Sequence, residues 1–164
     1  TPPAGWRQKL DLPIFCHHDP SVKSGFGILE LYGSVGVKPH RVILGHSGDT
    51  DNLETDRMLE RGCWLGMDRF GFCDRDLGLE PRVDTIAALC RAGWGHRLLL
   101  SMLAAYLAFW DSWETTKHSD WLHLEEDYTF THRRVLPLLE ERGLSRADID
   151  RLLTGNPCAF FEGV

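Results

Sequence analysis

The chain has no C-x-x-C pair, no basic block and no apolar run close to the ~20 residues that a membrane helix needs. Its five cysteines, Cys16, Cys63, Cys73, Cys90 and Cys158, are odd in number and scattered. That pattern argues against a disulfide framework and against a thiolate zinc cluster, and it fits reduced thiols in a cytoplasmic protein. Net charge is −6, with no concentration of Lys and Arg. Nucleic acid is therefore not an expected partner, because phosphate backbones demand a basic face. The start of the chain lacks the apolar core of a secretory signal, and no membrane partner is expected. Residue 1 is Thr, so the expectation is a processed, trimmed or partial chain. What is present is ordinary globular material: 43% hydrophobic and 26% charged residues over 164 positions, enough for one domain with a sizeable core.

Hydrophobic patterning alternates between two periods. Pro13-Ile14-Phe15-Cys16-His17, Arg41 to Gly45, Cys63-Trp64-Leu65-Gly66-Met67 and Arg97 to Leu100 read as short buried strands. Between them lie helical stretches from Ser21 to Val35, from Asp51 to Gly62, and around Val83, Ile86, Ala87 and Cys90, whose spacing makes one apolar stripe closed by Gly93. Thr131 to Arg142 forms a further helix followed by Gly143. Ser145-x-x-Asp148 starts a last short one, which Gly155 and Pro157 should stop. Strand–helix alternation argues for a parallel sheet with crossover helices. Four such units fit half of a (β/α)8 barrel, which spends ~30 residues per unit. A small open doubly wound sheet is the competing architecture, and it lacks a Gly-rich phosphate loop after any strand.

Active sites of parallel barrels lie at the carboxyl ends of the strands. Here those ends carry His17, His46, Asp68-Arg69 and Ser101. Alternation along a strand puts Phe15 with His17 on one face, and Val42 and Leu44 with His46. Two histidines closing consecutive strands should converge on one rim, a plausible pair of metal ligands. The plainer alternative is that they are half-buried turn residues. On the same plain reading Asp49 is a helix-start acid, Arg69 a surface cation, and Asp68 the first residue of a turn. Phe15, Val42, Leu44 and Leu65 are expected to face inward.

The segments "PIFCHHDP", "RVILGHSGDTDNL", "RGCWLGMDRFG" and "RVDTIAALCRAGWGHRLLLS" resemble consecutive segments of the phosphotriesterase family, which includes phosphotriesterase-like lactonases and belongs to the amidohydrolase superfamily. "YTFTHRRVLPLLEERGLS" and "LLTGNPCAFFE" are similar to its last helices. The resemblance implies the C-terminal half of a (β/α)8 barrel, strands five to eight with their helices, so that residues 1–164 form one partial barrel domain. It implies a divalent metal cofactor, Zn2+ by expectation and binuclear in the complete site. His17 matches the fifth-strand ligand and His46 the sixth-strand ligand. Arg69 matches a position lining the substrate pocket, and Asp49 an acid that relays protons outward. The long loop after the last strand, with Tyr106, Trp110 and Trp113, matches the family's apolar substrate cover.

The departures are specific. Nothing before about residue 13 corresponds to the family's His-x-His pair or its bridging lysine. Where the family reads Ser-His-Asp after the eighth strand, this chain reads Ser101-Met102-Leu103, and a leucine can neither bind a metal nor accept a proton. The expected function is metal-dependent hydrolysis of a lactone, carboxylic ester or phosphotriester, incomplete and weak in this chain alone. The alternative is a non-catalytic half-barrel acting as a binding or folding module. Two exposed sheet edges should favour a homo-oligomer or a complementary N-terminal half as partner.

Overall fold

The computed structural model describes residues 12–49, 52–70, 77–102 and 129–163. Four parallel strands form one sheet in the order β1-β2-β3-β4. They are β1 (Ile14–His17), β2 (Val42–Gly45), β3 (Trp64–Phe70) and β4 (Leu98–Met102). The expected strands are all present, and the two outer strands are the ones expected. β2 is buried at every position, as a near-continuous apolar run in a parallel sheet requires. β3 runs three residues further than the expected Met67, so Asp68 and Arg69 lie within the strand and Asp68 does not begin a turn. Charges end an apolar run but need not end a strand when they have partners. Past Met67 the pairing of β3 with β4 slips by one residue, because Met67 pairs with Leu100 and Phe70 with Met102. That slip is a bulge at Asp68-Arg69.

The helices are α1 (Gly25–Ser34), α2 (Asn52–Glu60), α3 (Leu79–Arg91), α4 (Leu136–Glu141), α5 (Arg146–Asp150) and α6 (Asn156–Glu162). A 3-10 turn, Pro20–Val22, capped by Asp19, precedes α1, so that helix starts later than Ser21. Gly62, Gly93 and Gly143 take positive φ just past their helices, as expected of residues without a Cβ. The Ser145/Asp148 capping box also forms. The last helix does not stop at Gly155 and Pro157. A π-helical turn, Arg151–Gly155, carries the chain helically into α6, with Pro157 among the first residues of that helix.

Most of the core lies between the sheet and its helices. Val42, Leu44, Leu65, Met67, Leu98 and Leu100 pack there against residues such as Met58, Val83, Ile86, Leu139 and Ile149. This corrects the expected inward face. Register pairs Phe15 with Ile43, Ile43 with Trp64, and Gly66 with Leu99. Phe15, Ile43, Trp64 and Leu99 therefore share the face away from the main core, whereas Val42, Leu44 and Leu65 point at the helices. Of the four residues expected inward only Phe15 is so placed, and it is 61% exposed. At the amino ends of the strands α6 covers this face. Phe160 packs edge-on to Trp64, the Arg41 guanidinium donates to the Phe160 carbonyl at 2.9 Å, and the Asn156 amide donates to the carbonyls of Gly95 and Leu98.

Candidate functional site

At the carboxyl ends of β1 and β2 the two histidines meet. His46 Nε2 stands 2.8 Å from His17 Nδ1, with the rings edge to face at 4.2 Å between centroids. Alternation alone would not bring them together. His17 pairs in register with Gly45, so the next residue, His46, should turn to the helix face with Val42 and Leu44. Instead His46 has φ of +66°, a left-handed conformation that costs a non-glycine residue about 1–3 kcal/mol. That twist returns its ring to the face of His17.

Asp68 holds the twist. One carboxylate oxygen, Oδ1, accepts from the His46 backbone N–H at 2.8 Å and lies 2.8 Å from His46 Nδ1. Asp68 and His46 are both buried. The space for this carboxylate is made by two glycines on neighbouring strands. A Cβ on Gly66 would lie 2.8 Å from Asp68 Oδ2, and one on Gly45 would lie 3.2 Å from the same atom. His18, next to His17, points to the helix side and donates from Nδ1 to the Gly45 carbonyl, tying the exit of β1 to the end of β2.

Burial, and then the neighbouring His46 and Arg69, push the basicity of His17 below that of a free imidazole. Burial does the same to His18, opposed by its hydrogen bond to Gly45. Both effects favour neutral rings, the form that offers a nitrogen lone pair.

Asp49 ends a 3-10 turn, Ser47–Asp49, directly after His46. Its two oxygens are taken by two guanidinium groups: Oδ2 by Arg69 at 2.8 Å and Oδ1 by Arg82 at 2.6 Å. Arg82, in the first turn of α3, is 4% exposed, while Arg69 keeps partial contact with solvent. The structure thus brings together His17, His46, Asp49 and Arg69. Tyr106, Trp110, Trp113 and Leu103 lie outside the described residues. Among the described residues there is no cluster of three or more His, Cys, Asp or Glu able to hold a metal ion. A cleft lined by Trp64, Arg97 and Asn156 lies at the other end of the sheet and holds none of these groups.

Sequence reasoning placed Asp68 at a strand end without giving it a role, and it missed Arg82. Asp68 was legible in principle: once β3 is extended past Met67, alternation places Asp68 on the face of Gly66. Arg82 carried no signal, since a cation after Pro81 in a first helical turn reads as solvent-exposed.

Residues 3–161 match the phosphotriesterase family. The chain is 29% identical over 158 residues to a phosphotriesterase homology protein of Mycobacterium tuberculosis, covering 94% of this chain and 47% of that protein. It is 27% identical to an aryldialkylphosphatase of Saccharolobus solfataricus, covering 94% and 49%. The solved structure of the Escherichia coli phosphotriesterase homology protein, complexed with phosphate in its active site, superposes with a TM-score of 0.78 at 28% identity, over 96% of this chain and 51% of that one. The chain spans about half the length of the curated relatives it matches. Among the described residues no helix is long and apolar enough to cross a membrane. The four-stranded parallel sheet is half of a (β/α)8 barrel, and the chain belongs to the phosphotriesterase family.

Proposed function

We propose that this chain carries part of the active site of a metal-dependent hydrolase acting on lactone, carboxylic ester or phosphotriester bonds. The observation that carries the reading is the convergence of His17 Nδ1 and His46 Nε2, 2.8 Å apart, at the carboxyl rim of adjacent strands. Neutral imidazole nitrogens suit a divalent ion such as Zn2+. The fit is that of half a site. Two nitrogens converge, but catalytic zinc ordinarily takes three protein ligands, and no third is found among the described residues.

A bound divalent ion supplies Lewis acidity, polarising the carbonyl or phosphoryl oxygen of a substrate and acidifying water. The chain's own residues do the rest. His17 and His46 would hold the ion. Asp49 pins Arg69 by an ion pair, so that the guanidinium stands at the rim, where it can take a carbonyl or phosphoryl oxygen of the substrate. Asp49, both of whose oxygens accept from guanidinium groups, is then a fixed charge that holds Arg69 beside the site, and a proton relay through it would need one of those ion pairs to open. Tyr106, Trp110 and Trp113 would supply apolar contact to the organic part of the substrate. The relatives support this reading: one is named aryldialkylphosphatase, and another holds phosphate in its active site. The remaining ligands would come from a complementary N-terminal half or from another copy of the chain, either of which would cover the face that exposes Phe15.

The two-ligand site also favours a second reading, a non-catalytic half-barrel used for binding or folding. Calorimetric titration with Zn2+, alongside hydrolysis of a panel of lactones and phosphotriesters, separates the two. Expected are zinc binding that disappears in His17→Ala/His46→Ala, and turnover that is weak in the chain alone and rises with Leu103→Asp. Zinc affinity unchanged in the double variant would overturn the ligand assignment. Fast, chelator-sensitive turnover by the chain alone would refute the view that its site is incomplete.

A further inference from the structure

We infer that Asp68 is the positioning residue of the histidine pair, using one carboxylate oxygen to hold both the left-handed turn at His46 and the ring tautomer that leaves Nε2 free to bind. Three observations carry this. The first is conformational. Strand alternation would direct the His46 ring to the helix side, and a φ of +66° redirects it. The group bonded to that peptide's N–H is Asp68 Oδ1.

The second is chemical. An ionised carboxylate only accepts hydrogen bonds, so the ring nitrogen facing it, Nδ1 at 2.8 Å, must carry a proton. In a neutral imidazole the other nitrogen then holds the lone pair. That nitrogen, Nε2, is the one turned to His17 Nδ1. In the metal-free site His17 Nδ1–H then donates to His46 Nε2 and His46 Nδ1–H to Asp68, and His17 must shift its proton to its own Nε2 before Nδ1 can hold an ion. The third is steric. Gly66 leaves the volume that Asp68 fills: a Cβ there would collide with its second oxygen, and one on Gly45 would press on that oxygen at 3.2 Å besides colliding with the Phe15 ring. That oxygen has no hydrogen-bond partner among the described residues. The hydrogen bonds this carboxylate makes there all go to one residue, His46.

The functional part of the inference rests on His17 and His46 being metal ligands, whereas the tautomer part does not. The test is long-range 1H–15N correlation of the histidine rings in the full, metal-free chain near pH 8. His46 is assigned with His46→Gln, and His96 serves as a remote control. The wild type should show His46 protonated at Nδ1. Asp68→Asn, whose amide can donate as well as accept, should mix or reverse that pattern and leave His96 unchanged. A residue that merely supports the fold would not move a tautomer ratio. Zinc affinity should fall about 10–100-fold in Asp68→Asn, the usual consequence of losing a partner behind a ligand.

A wild-type His46 protonated at Nε2 would overturn the inference, and it needs no variant that might fail to fold. So would an unchanged tautomer in Asp68→Asn, even if zinc binding still depends on His17 and His46. If the tautomer shifts while the wild type binds no zinc, the positioning role stands and the metal reading falls.

Discussion

Replacing Gly66 with alanine should damage the site from behind without touching either histidine. The added methyl would lie 2.8 Å from Asp68 Oδ2, 3.1 Å from the Gly45 Cα and 3.4 Å from the Leu44 carbonyl. Two of those three atoms are backbone of β2 and cannot swing aside. The third ends a short, buried side chain whose other oxygen is bonded to His46 twice. Relief therefore requires either that β2 and β3 part or that Asp68 leave His46. Overpacking of this kind costs about 1–3 kcal/mol. For a chain of this size that is a fall in Tm of roughly 3–10 °C. Urea unfolding of the wild type and the variant measures it directly. A double-mutant cycle makes the reasoning sharper. Once Asp68→Ala has removed the carboxylate, Gly66→Ala should cost less than it does alone, by on the order of 1 kcal/mol. A neutral Gly66→Ala, or a cycle that is additive, would show that the methyl is accommodated without pressing on Asp68.

Other perturbations test the fold around the site. Phe160→Ala should destabilise by about 3–5 kcal/mol, because Phe160 is 2% exposed and joins Ile43 and Trp64 at the amino ends of the strands; a loss below roughly 1 kcal/mol in urea unfolding would mean that α6 does not close that end. Ser145→Ala removes the cap of α5 and should cost about 1 kcal/mol. Hydrogen bonds from Ser145 hold the Asp148 carboxyl below its ordinary value of 3.8; since the folded state favours the ionised form, this contribution is present above that value and lost as pH falls through the lowered one. The gap between wild type and Ser145→Ala should therefore narrow in strong acid without closing, since the Asp148 N–H still donates to the Ser145 hydroxyl, and a gap that widened there would contradict the assignment. Cys63 is buried and its thiol is pushed up to about 12, and Cys90 to about 11, whereas Cys158 is exposed. Maleimide at neutral pH should label Cys158 before Cys90 and leave Cys63 untouched until the chain unfolds, as peptide mass mapping would show.

The parallel strand–helix order, the placement of His17 and His46 at strand ends, and Gly62, Gly93 and Gly143 past their helices were all legible in the residues alone, because these depend on local periodicity and backbone freedom. So was the family, through motifs that span neighbouring units. Which face each strand turns to the helices emerged with the packing. Val42 and Leu44 are apolar on either assumption, and parity does not say which side will be covered. The meeting of His17 and His46 was likewise a tertiary outcome. It depends on a positive φ at a non-glycine residue, which no local preference predicts, and on an aspartate 22 residues further along. Arg82 shows the same limit. A guanidinium in the first turn of a helix looks solvated until another segment brings Asp49 to it, and then its burial follows from the ion pair.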